Sequence, residues 1–298
     1  MSKVSVFDTE TVLPDCQLSA REEGLLGFTK RYDRVHKQLR LLLDLGQLGA
    51  WSKDYHQGVL PLCSLVADQY PLVIFHGDVG TGKTAMAECI ANRIVRESQT
   101  EDSVLLKLSN RVRGTGKVGE MGTLLAQVWD EVAQAAGKNR RAILLIDEGD
   151  SIAASRSQSQ SHHEDKVAVN TLIQGVDEMR KYNGRVVVFL CTNRLSVVDA
   201  ALQRRAAIVV EFRRPDEDER RALFEMDLQG LKLTVKQFQE LAAMTGAQGD
   251  RPAWTYSDIR TRLYPAALAL AYPDRALTFN DLKESINTLR PSPVMEDK

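Results

Sequence analysis

The sequence predicts an α/β fold, namely a doubly wound parallel sheet of five strands followed by a small helical domain. Five apolar segments of strand length alternate with helical stretches, as expected for parallel strands that are buried on both faces. Beyond Pro215 the apolar spacing is helical throughout. The predicted strands are 71–75, 104–108, 142–147, 186–191 and 207–212. The predicted divisions are an N-terminal segment over 1–70, a large domain over 71–214, a helical domain over 215–290 and a disordered tail over 291–298.

The segment before the first strand divides into two parts. Residues 1–23 show no sustained periodicity and are expected to form a mobile arm. Residues 28–46 space Val35, Leu39 and Leu42 at helical intervals with charges between them, which predicts an amphipathic helix ending at a glycine, Gly46. The basic residues of this helix are interpreted as a solvated face rather than a polyanion site.

Composition limits the classes of partner. The 298 residues include 39 Lys and Arg against 40 Asp and Glu, so the net charge of -1 provides no bulk attraction to nucleic acid or to anionic membranes. The four cysteines lie far apart and form no CxxC pair, which predicts thiols in a reducing cytoplasm. No apolar run approaches the roughly 18 residues of a membrane span. We therefore expect a soluble cytoplasmic protein with no membrane partner, and composition disfavours nucleic acid as a partner except through a local basic patch.

The first strand leads into a segment rich in small residues, GDVGTGKT, which fits the pattern G-x-x-x-x-G-K-[ST]. Small residues let successive backbone N–H groups surround phosphate oxygens, and the helix that follows adds the positive end of its dipole. Lys83 is expected to reach the β- and γ-phosphates of ATP, and Thr84 to coordinate Mg²⁺. The predicted nucleotide-binding residues here are Gly77, Asp78, Val79, Gly80, Thr81, Gly82, Lys83, Thr84 and Ala85.

Polar residues follow the third and fourth strands. Asp147 and Glu148 end a strongly apolar strand, at the sheet edge where open α/β sheets bind ligands. Asp147 suits a Mg²⁺ ligand, and Glu148 suits the base that polarises the water attacking the γ-phosphate. Asn193 follows the fourth strand and is a candidate for holding that water or a γ-phosphate oxygen. Capping of a following helix by the carboxylates is the structural alternative.

Two adjacent arginines, Arg204 and Arg205, precede the fifth strand. Arginine stabilises the charge on a phosphoryl group during transfer, and it can be supplied by the same chain or by a neighbour. Surface salt bridges are the alternative explanation for this pair. We expect one arginine to act on the phosphate and the other to be structural, and the sequence does not say which.

In their order along the chain, these features resemble the AAA+ ATPases, with Walker A GDVGTGKT, Walker B LLIDE, sensor 1 CTN, an arginine pair and a helical lid. The phrases LLIDEGDSIAASR and VDAALQRRAAIVVEFRRP are similar to those of the HORMA-remodelling checkpoint ATPases and their short bacterial relatives in antiphage operons beside cGAS-like nucleotidyltransferases. The resemblance implies a homohexameric ring in which arginine fingers reach the neighbour's ATP. It also implies that a HORMA-domain partner is partly unfolded through the central pore.

The same resemblance implies further site residues. A lid arginine would act as sensor 2, for which Arg260 is the first candidate and Arg262 the second. The backbone at Leu26 to Phe28, including Gly27 and Phe28, would form the adenine pocket.

The loop after the second strand would line the pore. Its implied members are Arg111, Val112, Arg113 and Gly114. Val112 would press on the translocating chain. A second pore loop, or a plain solvated loop, would span 156–166.

Three functions compete for this chain. The leading hypothesis is an ATP-driven protein remodeller with Mg²⁺ as its cofactor. The alternative is a nucleic-acid motor or loader of the same superfamily, in which Arg111, Arg113 and Lys117 contact phosphates. The third is a scaffold that binds ATP without turnover, which the presence of Glu148 disfavours.

Overall fold

The structure of the chain, a computed structural model, describes residues 5–98, 103–113, 119–154 and 163–295. The described residues form two compact units. Unit 1 contains those within 5–76 and 84–211, and unit 2 contains 77–83 and 212–295. Residues 212–295, which include the helical stretch predicted over 215–290, group into unit 2. The glycine-rich segment 77–83 groups with that helical domain, although we expected it in the large domain over 71–214.

Unit 1 is built on a six-stranded sheet with the strand order β1-β3-β4-β5-β2-β6. The pairs β3–β4, β4–β5 and β2–β5 are parallel, whereas β1 pairs with β3 in the antiparallel direction. All five predicted strands are present as β2 to β6. The strands are β1 (Phe7–Leu13), β2 (Leu72–Gly77), β3 (Ser103–Leu108), β4 (Arg141–Ile146), β5 (Val186–Thr192) and β6 (Ala206–Phe212).

The helices of this part of the chain cover the sheet. Every residue of β5 is buried, which explains why its sequence, VVVFLCT, is almost wholly apolar. Residues of α6 and α7 share one hydrophobic core with residues of β3, β4 and β5. The helices are α1 (Cys16–Glu23), α2 (Phe28–Leu43), α3 (Leu45–His56), α4 (Pro61–Ala67), α5 (Lys83–Glu97), α6 (Glu120–Ala136), α7 (His163–Met179) and α8 (Ala200–Arg205).

Over the described residues 5–23, the segment expected to be a mobile arm is instead folded. Its β1 strand pairs along β3, and α1 begins at the cap residue Asp15, whose backbone N–H donates to the Asn92 side chain at 2.7 Å. Phe7 and Leu13 are buried, but most residues between them are exposed. An edge strand with so few buried residues shows no periodicity, so only its pairing with β3 reveals it.

The amphipathic helix predicted over 28–46 is confirmed as α2, and its periodic apolar residues are buried. The predicted stop at Gly46 is wrong, because α2 ends at Leu43 and Gly46 lies inside α3. The chain changes direction at Asp44, whose N–H still bonds to Arg40 O and whose carboxylate lies 2.8 Å from the Arg141 guanidinium. A tertiary ion pair, and not a local glycine signal, therefore stabilises the boundary.

Unit 2 carries the predicted lid helices, which are separated by non-helical residues after α9, α10 and α11. The lid begins with a capping box in which Asp216 and Glu219 satisfy each other's backbone N–H groups. The first turn of α9 contains three acidic residues, Glu219 among them, and the helix dipole stabilises their charge. Its elements are α9 (Glu217–Asp227), α10 (Val235–Met244), a π-helical stretch (Asp258–Leu263), α11 (Tyr264–Ala271) and α12 (Phe279–Thr288).

Disorder was expected over the C-terminal tail, but its described residues, 291–295, make specific hydrogen bonds. The Ser292 hydroxyl donates to Asp258 at 2.6 Å, and the carbonyl oxygens of Ser292 and Pro293 accept from Arg214. These contacts are polar and distant in sequence, so composition alone could not indicate them. Across the described ranges, no helix combines the length and the apolar character that crossing a membrane would require.

The packing of α6 against α7 depends on one glycine and generates a stability prediction. A Cβ at Gly175 would lie 1.9 Å from the Trp129 ring, whereas a Cβ at Gly49 in α3 would meet no atom within 4 Å. We expect Gly175→Ala to lower the free energy of unfolding by about 1–3 kcal/mol, because Trp129 must be displaced.

The matched control is Gly49→Ala, which we expect to raise the free energy of unfolding by about 0.5–1 kcal/mol through its better helix propensity. Denaturant unfolding followed by tryptophan fluorescence measures both variants. Equal stability of Gly175→Ala and the wild type would contradict the packing described here.

Candidate functional site

The glycine-rich segment of unit 2 forms a compact loop whose lysine is held against its backbone. Lys83 Nζ donates to Gly77 O at 2.9 Å and to Asp78 O at 2.8 Å, and Thr81 Oγ1 donates to Asp78 O at 2.8 Å. The lysine ammonium is therefore positioned over the loop at the start of the 15-residue α5. A lysine and successive backbone N–H groups at a helix N-terminus form a site suited to phosphate.

Two glycines are required by close approaches within unit 2. Gly77 has φ of 132°, and a Cβ there would lie 2.0 Å from Phe212 O. Gly80 has φ of 73°, and a Cβ there would lie 2.6 Å from the Thr255 hydroxyl. Neither position has room for a side chain, which explains why the sequence has glycine at both.

In unit 1, the predicted Mg²⁺ ligands are brought together. The Thr84 hydroxyl lies 2.9 Å from each carboxylate oxygen of Asp147, so it can donate to either one. Mg²⁺ binds oxygen ligands and commonly takes one or two from a protein together with phosphate and water. A hydroxyl beside a carboxylate provides such a donor set, and the residues therefore fit the ion.

Glu148 adopts an unusual backbone conformation and has a specific partner. Its φ of 51° lies in the left-handed region, which is uncommon for a residue other than glycine. Its carboxylate Oε2 accepts from an Arg113 guanidinium nitrogen at 3.1 Å, and the side chains of both residues are about half exposed. The carboxylate predicted as the base is thus engaged by an arginine from the segment predicted to line the pore.

Asn193 lies directly after β5, next to the strand that carries Asp147. Its backbone N–H and the Thr192 hydroxyl both point to Asp150 Oδ1, at 3.4 Å and 3.1 Å. Asp150 therefore positions the end of β5. Asp150 was not among the residues predicted from the sequence, although its position two residues after the carboxylate pair was a usable signal.

The structure separates the roles of the two adjacent arginines. Arg205 forms a bidentate pair with Asp177 at 2.6 Å and 3.0 Å, and its guanidinium stacks over the Tyr70 ring at 5.2 Å. The hydrogen bonds that Arg205 donates to the Asp177 carboxylate raise the pKa of the Arg205 guanidinium. Arg204, by contrast, is exposed and makes no ion pair with any described residue. The predicted division into one structural and one available arginine is consistent with this arrangement.

Both candidate sensor 2 arginines are paired within unit 2. Arg260 makes two hydrogen bonds to the Asp227 carboxylate, at 2.7 Å and 2.6 Å, and they raise its pKa. Arg262 lies 3.2 Å from Asp258. Each pair accounts for its arginine structurally, so the sensor 2 role stays a prediction.

The residues implied for the adenine pocket lie at the start of α2. Gly27 precedes the helix with φ of 68°, and the Arg93 guanidinium stacks over the Phe28 ring at 5.7 Å. Arg93 is ten residues beyond Lys83 along α5, which corresponds to about 15 Å of helix. Within unit 1, Phe28 therefore lies beside the distal half of α5, and its adenine role stays a prediction.

The predicted pore loop requires a correction. Val112 has 0% of its surface exposed and belongs to the hydrophobic core, so it does not project toward a translocating chain. Val112 follows β3 in a short 3-10 turn, and its apolar side chain packs into the hydrophobic core. The resemblance to the family suggested a pore-facing residue at this position, but burial is what an apolar side chain favours. Arg111 and Arg113 on the same turn are exposed. Gly114, Lys117 and most of the second loop over 156–166 lie outside the described residues.

Comparison with known proteins places this arrangement in a family. Residues 73–214 match the family described as ATPase family associated with various cellular activities (AAA). The chain is 72% identical to CD-NTase-associated protein 6 of Escherichia coli (strain KTE188) over 297 residues, which cover 100% of each protein.

Solved structures agree with the family match. One chain of the E. coli MS115-1 HORMA:CdnC:Trip13 complex superposes with a TM-score of 0.91 at 35% identity, with 99% of this chain and 100% of that chain covered. Rhizobiales Trip13 superposes with a TM-score of 0.73 at 29% identity, covering 96% and 99%. Both likenesses extend over nearly the whole of each chain.

The pair between Arg113 and Glu148 generates a prediction. An arginine N–H on the carboxylate competes with a water molecule that Glu148 would polarise, so its removal frees the predicted base. We expect Arg113→Met to raise basal ATP hydrolysis by up to about fivefold, in keeping with the strength of an exposed ion pair.

Arg111→Met is the matched control, because it removes the same charge from the same turn without touching Glu148. Steady-state phosphate release compares the variants at saturating ATP. A rate for Arg113→Met at or below that of Arg111→Met would show that the pair does not restrain Glu148.

Proposed function

This chain belongs to the CD-NTase-associated protein 6 family of AAA ATPases, and we propose that it uses ATP hydrolysis to remodel a HORMA-domain protein in bacterial antiphage signalling. The observation that carries the proposal is the likeness, over the whole chain, to a component of a HORMA:CdnC:Trip13 complex. We call the glycine-rich loop 77–83 the phosphate loop. The chemistry that such remodelling needs would come from this loop, from the contact of Thr84 with Asp147, and from Glu148.

Binding of ATP is assigned to the loop of unit 2. Lys83 is already held over the loop backbone by Gly77 O and Asp78 O, so its ammonium group can donate to phosphate oxygens with little rearrangement. The backbone N–H groups at the start of α5 contribute further donors. This arrangement favours a polyphosphate over a single phosphate, because the donors are distributed along the loop.

Hydrolysis is assigned to the residues of unit 1. Thr84 and Asp147 would hold Mg²⁺, which when bound neutralises charge on the β- and γ-phosphates. Glu148 would accept a proton from the attacking water as the water oxygen bonds to the γ-phosphorus and the bond from that phosphorus to the β,γ-bridging oxygen breaks, which releases ADP and phosphate. Asn193, whose backbone N–H bonds to Asp150 at the end of β5, would orient the water or a γ-phosphate oxygen. Release of Glu148 from Arg113 precedes its action as a base.

We assign the arginine finger to Arg204. An arginine that acts on a neighbouring subunit must be exposed and free of internal partners, and Arg204 meets both conditions among the described residues. The bidentate pair of Arg205 with Asp177 supports a structural role for Arg205 and favours Arg204 as the finger. The assignment requires a homo-oligomer, for which we propose the hexameric ring typical of the superfamily. The four free cysteines suit a reducing compartment, which we propose is the cytoplasm.

The first prediction of this proposal concerns the ATPase activity. Wild-type protein with Mg²⁺ should hydrolyse ATP, Lys83→Ala should bind ATP poorly, and Glu148→Gln should bind ATP with turnover reduced by at least about 100-fold. Binding of a fluorescent ATP analogue and phosphate release are measured on the same preparations. Equal turnover by wild type and Glu148→Gln would remove the base assignment.

The remodelling itself is tested with a purified HORMA-domain protein bound to its CD-NTase. Wild-type protein and ATP should separate that complex on size-exclusion chromatography, whereas Lys83→Ala should leave it intact. Glu148→Gln should remain bound to the HORMA-domain protein in the presence of ATP. An unchanged complex, together with strong stimulation of hydrolysis by DNA or RNA, would instead favour a nucleic-acid motor.

A further prediction distinguishes the two arginines. Arg204→Ala should lower hydrolysis by about 1000-fold, in keeping with the loss of an arginine finger. Arg205→Ala should instead lower the free energy of unfolding by about 1 kcal/mol, because Asp177 loses its partner.

Mixing Arg204→Ala with Glu148→Gln provides the control for action between subunits. A mixed interface in which the Arg204→Ala subunit holds the ATP and the Glu148→Gln subunit supplies the arginine combines an intact Glu148 with an intact Arg204, so part of the activity should return. Wild-type rates for Arg204→Ala, or no recovery on mixing two correctly assembled variants, would contradict the assignment.

A further inference from the structure

The phosphate loop contains a carboxylate that needs an explanation. Asp78, the second residue of the loop, has a side chain only 12% exposed. Its carboxylate accepts from Arg214 Nε at 2.5 Å, from the Val79 N–H at 2.8 Å and from the Met295 N–H at 3.2 Å. An unpaired negative charge in a loop that binds phosphate would repel the ligand. The charge is instead compensated by an arginine of the lid.

Arg214 uses its guanidinium to join three separate segments of unit 2. Besides its bond to Asp78, it donates to the carbonyl oxygens of Ala253, Ser292 and Pro293. Its side chain is only 10% exposed. Four acceptors in fixed directions require the five N–H donors of a planar guanidinium, which a lysine does not offer.

The tail is fastened independently at a second point. The Ser292 hydroxyl and N–H donate to the two oxygens of Asp258, at 2.6 Å and 3.1 Å. Burial would raise the pKa of Asp258, but hydrogen bonds from Ser292 and Thr255 outweigh it and hold that pKa below its usual value. Asp258 therefore stays charged and keeps the tail in place at neutral pH.

The loop is also bonded directly to this end of the lid. The Ser257 N–H donates to Gly80 O at 3.1 Å, and Gly80 leaves no room for a Cβ beside Thr255. The loop is thus attached at two points. Arg214 and the Met295 N–H of the tail bond to Asp78, and Ser257, which directly precedes Asp258, bonds to Gly80 O. All of these residues belong to one compact unit.

We propose that Arg214 and the C-terminal segment 292–295 are positioning elements of the nucleotide site, which hold Asp78 neutralised and the phosphate loop in its binding conformation. The inference rests on the proposed binding of ATP by this loop and deepens it. Arg214 compensates the charge of Asp78. The tail accepts hydrogen bonds from Arg214 through Ser292 O and Pro293 O, and it donates one to Asp78 through the Met295 N–H. Occupation of the loop by a polyphosphate is therefore linked to the docking of the C-terminus.

The test measures the affinity of the full chain for a fluorescent ADP analogue and the KM for ATP. Arg214→Met leaves the Asp78 charge uncompensated, so we expect the Kd to rise at least about tenfold and KM to rise more than kcat falls. Adding Asp78→Asn to Arg214→Met removes the uncompensated charge and should restore most of the lost affinity. A purely structural role for Arg214 would predict no such recovery.

Two truncations test the tail. A chain ending at Pro291 loses every tail contact to Arg214, Asp258 and Asp78, and its Kd should rise at least about threefold. A chain ending at Met295 keeps all of these contacts and is the matched control, with an affinity equal to that of the wild type. Thermal unfolding confirms that each variant is folded.

The outcomes separate this inference from the proposed function. Absence of nucleotide binding by the wild type would overturn the proposed function itself. Normal binding by the wild type with equal binding by folded Arg214→Met, or no recovery in the double variant, would overturn the role of Arg214. Equal affinity of the two truncated chains would overturn the role of the tail.

Discussion

The pairing of β5 with both β4 and β2 is the constraint on which the rest of the structure depends. Leu190 pairs with Ile146 on one side and with Ile74 on the other, and His76 pairs with Thr192. Because the strands are parallel, their carboxyl ends lie at one edge of the sheet, where Asp147 and Asn193 follow. A slip of one residue would exchange the side chains between the two buried faces and displace Asp147 and Asn193 along the sheet edge, so the packing of both faces preserves the register.

Ion pairs then decide what each arginine can do. Arg205 and Arg260 each make a bidentate pair with one aspartate, and Arg214 spreads its donors over an aspartate and three carbonyl groups. Planar guanidinium groups engaged at several points lose the freedom to act elsewhere. Arg204, adjacent to Arg205 in sequence, makes no such pair among the described residues. Local partners thus separate structural arginines from one available for chemistry.

The loop predicted to bind phosphate and the carboxylates predicted to act in hydrolysis belong to different compact units. The loop 77–83 is bonded to lid residues through Asp78 and Gly80, while Asp147 and Glu148 follow a strand of unit 1. Sequence order suggested the opposite grouping, because the loop directly follows β2. Close backbone approaches at Gly77 and Gly80 explain the observed grouping, since each glycine lies against a residue of the lid unit.

The sequence by itself determined the features that local chemistry specifies. Strands buried on both faces must be continuously apolar, a phosphate loop needs glycines and a lysine, and an acidic first turn stabilises a helix such as α9. Five strands, the lid helices and the contact of Thr84 with Asp147 followed from these rules. Tertiary structure alone decided the features that depend on distant partners. The polar segment 7–13 forms an edge strand because it pairs with β3, and Val112 is buried because it packs into the core. Arg205 is paired with Asp177, and Asp78 is paired with Arg214, which lies 136 positions away in the sequence. The physical reason is that burial and charge compensation depend on which groups meet in space, and a single sequence does not record that proximity.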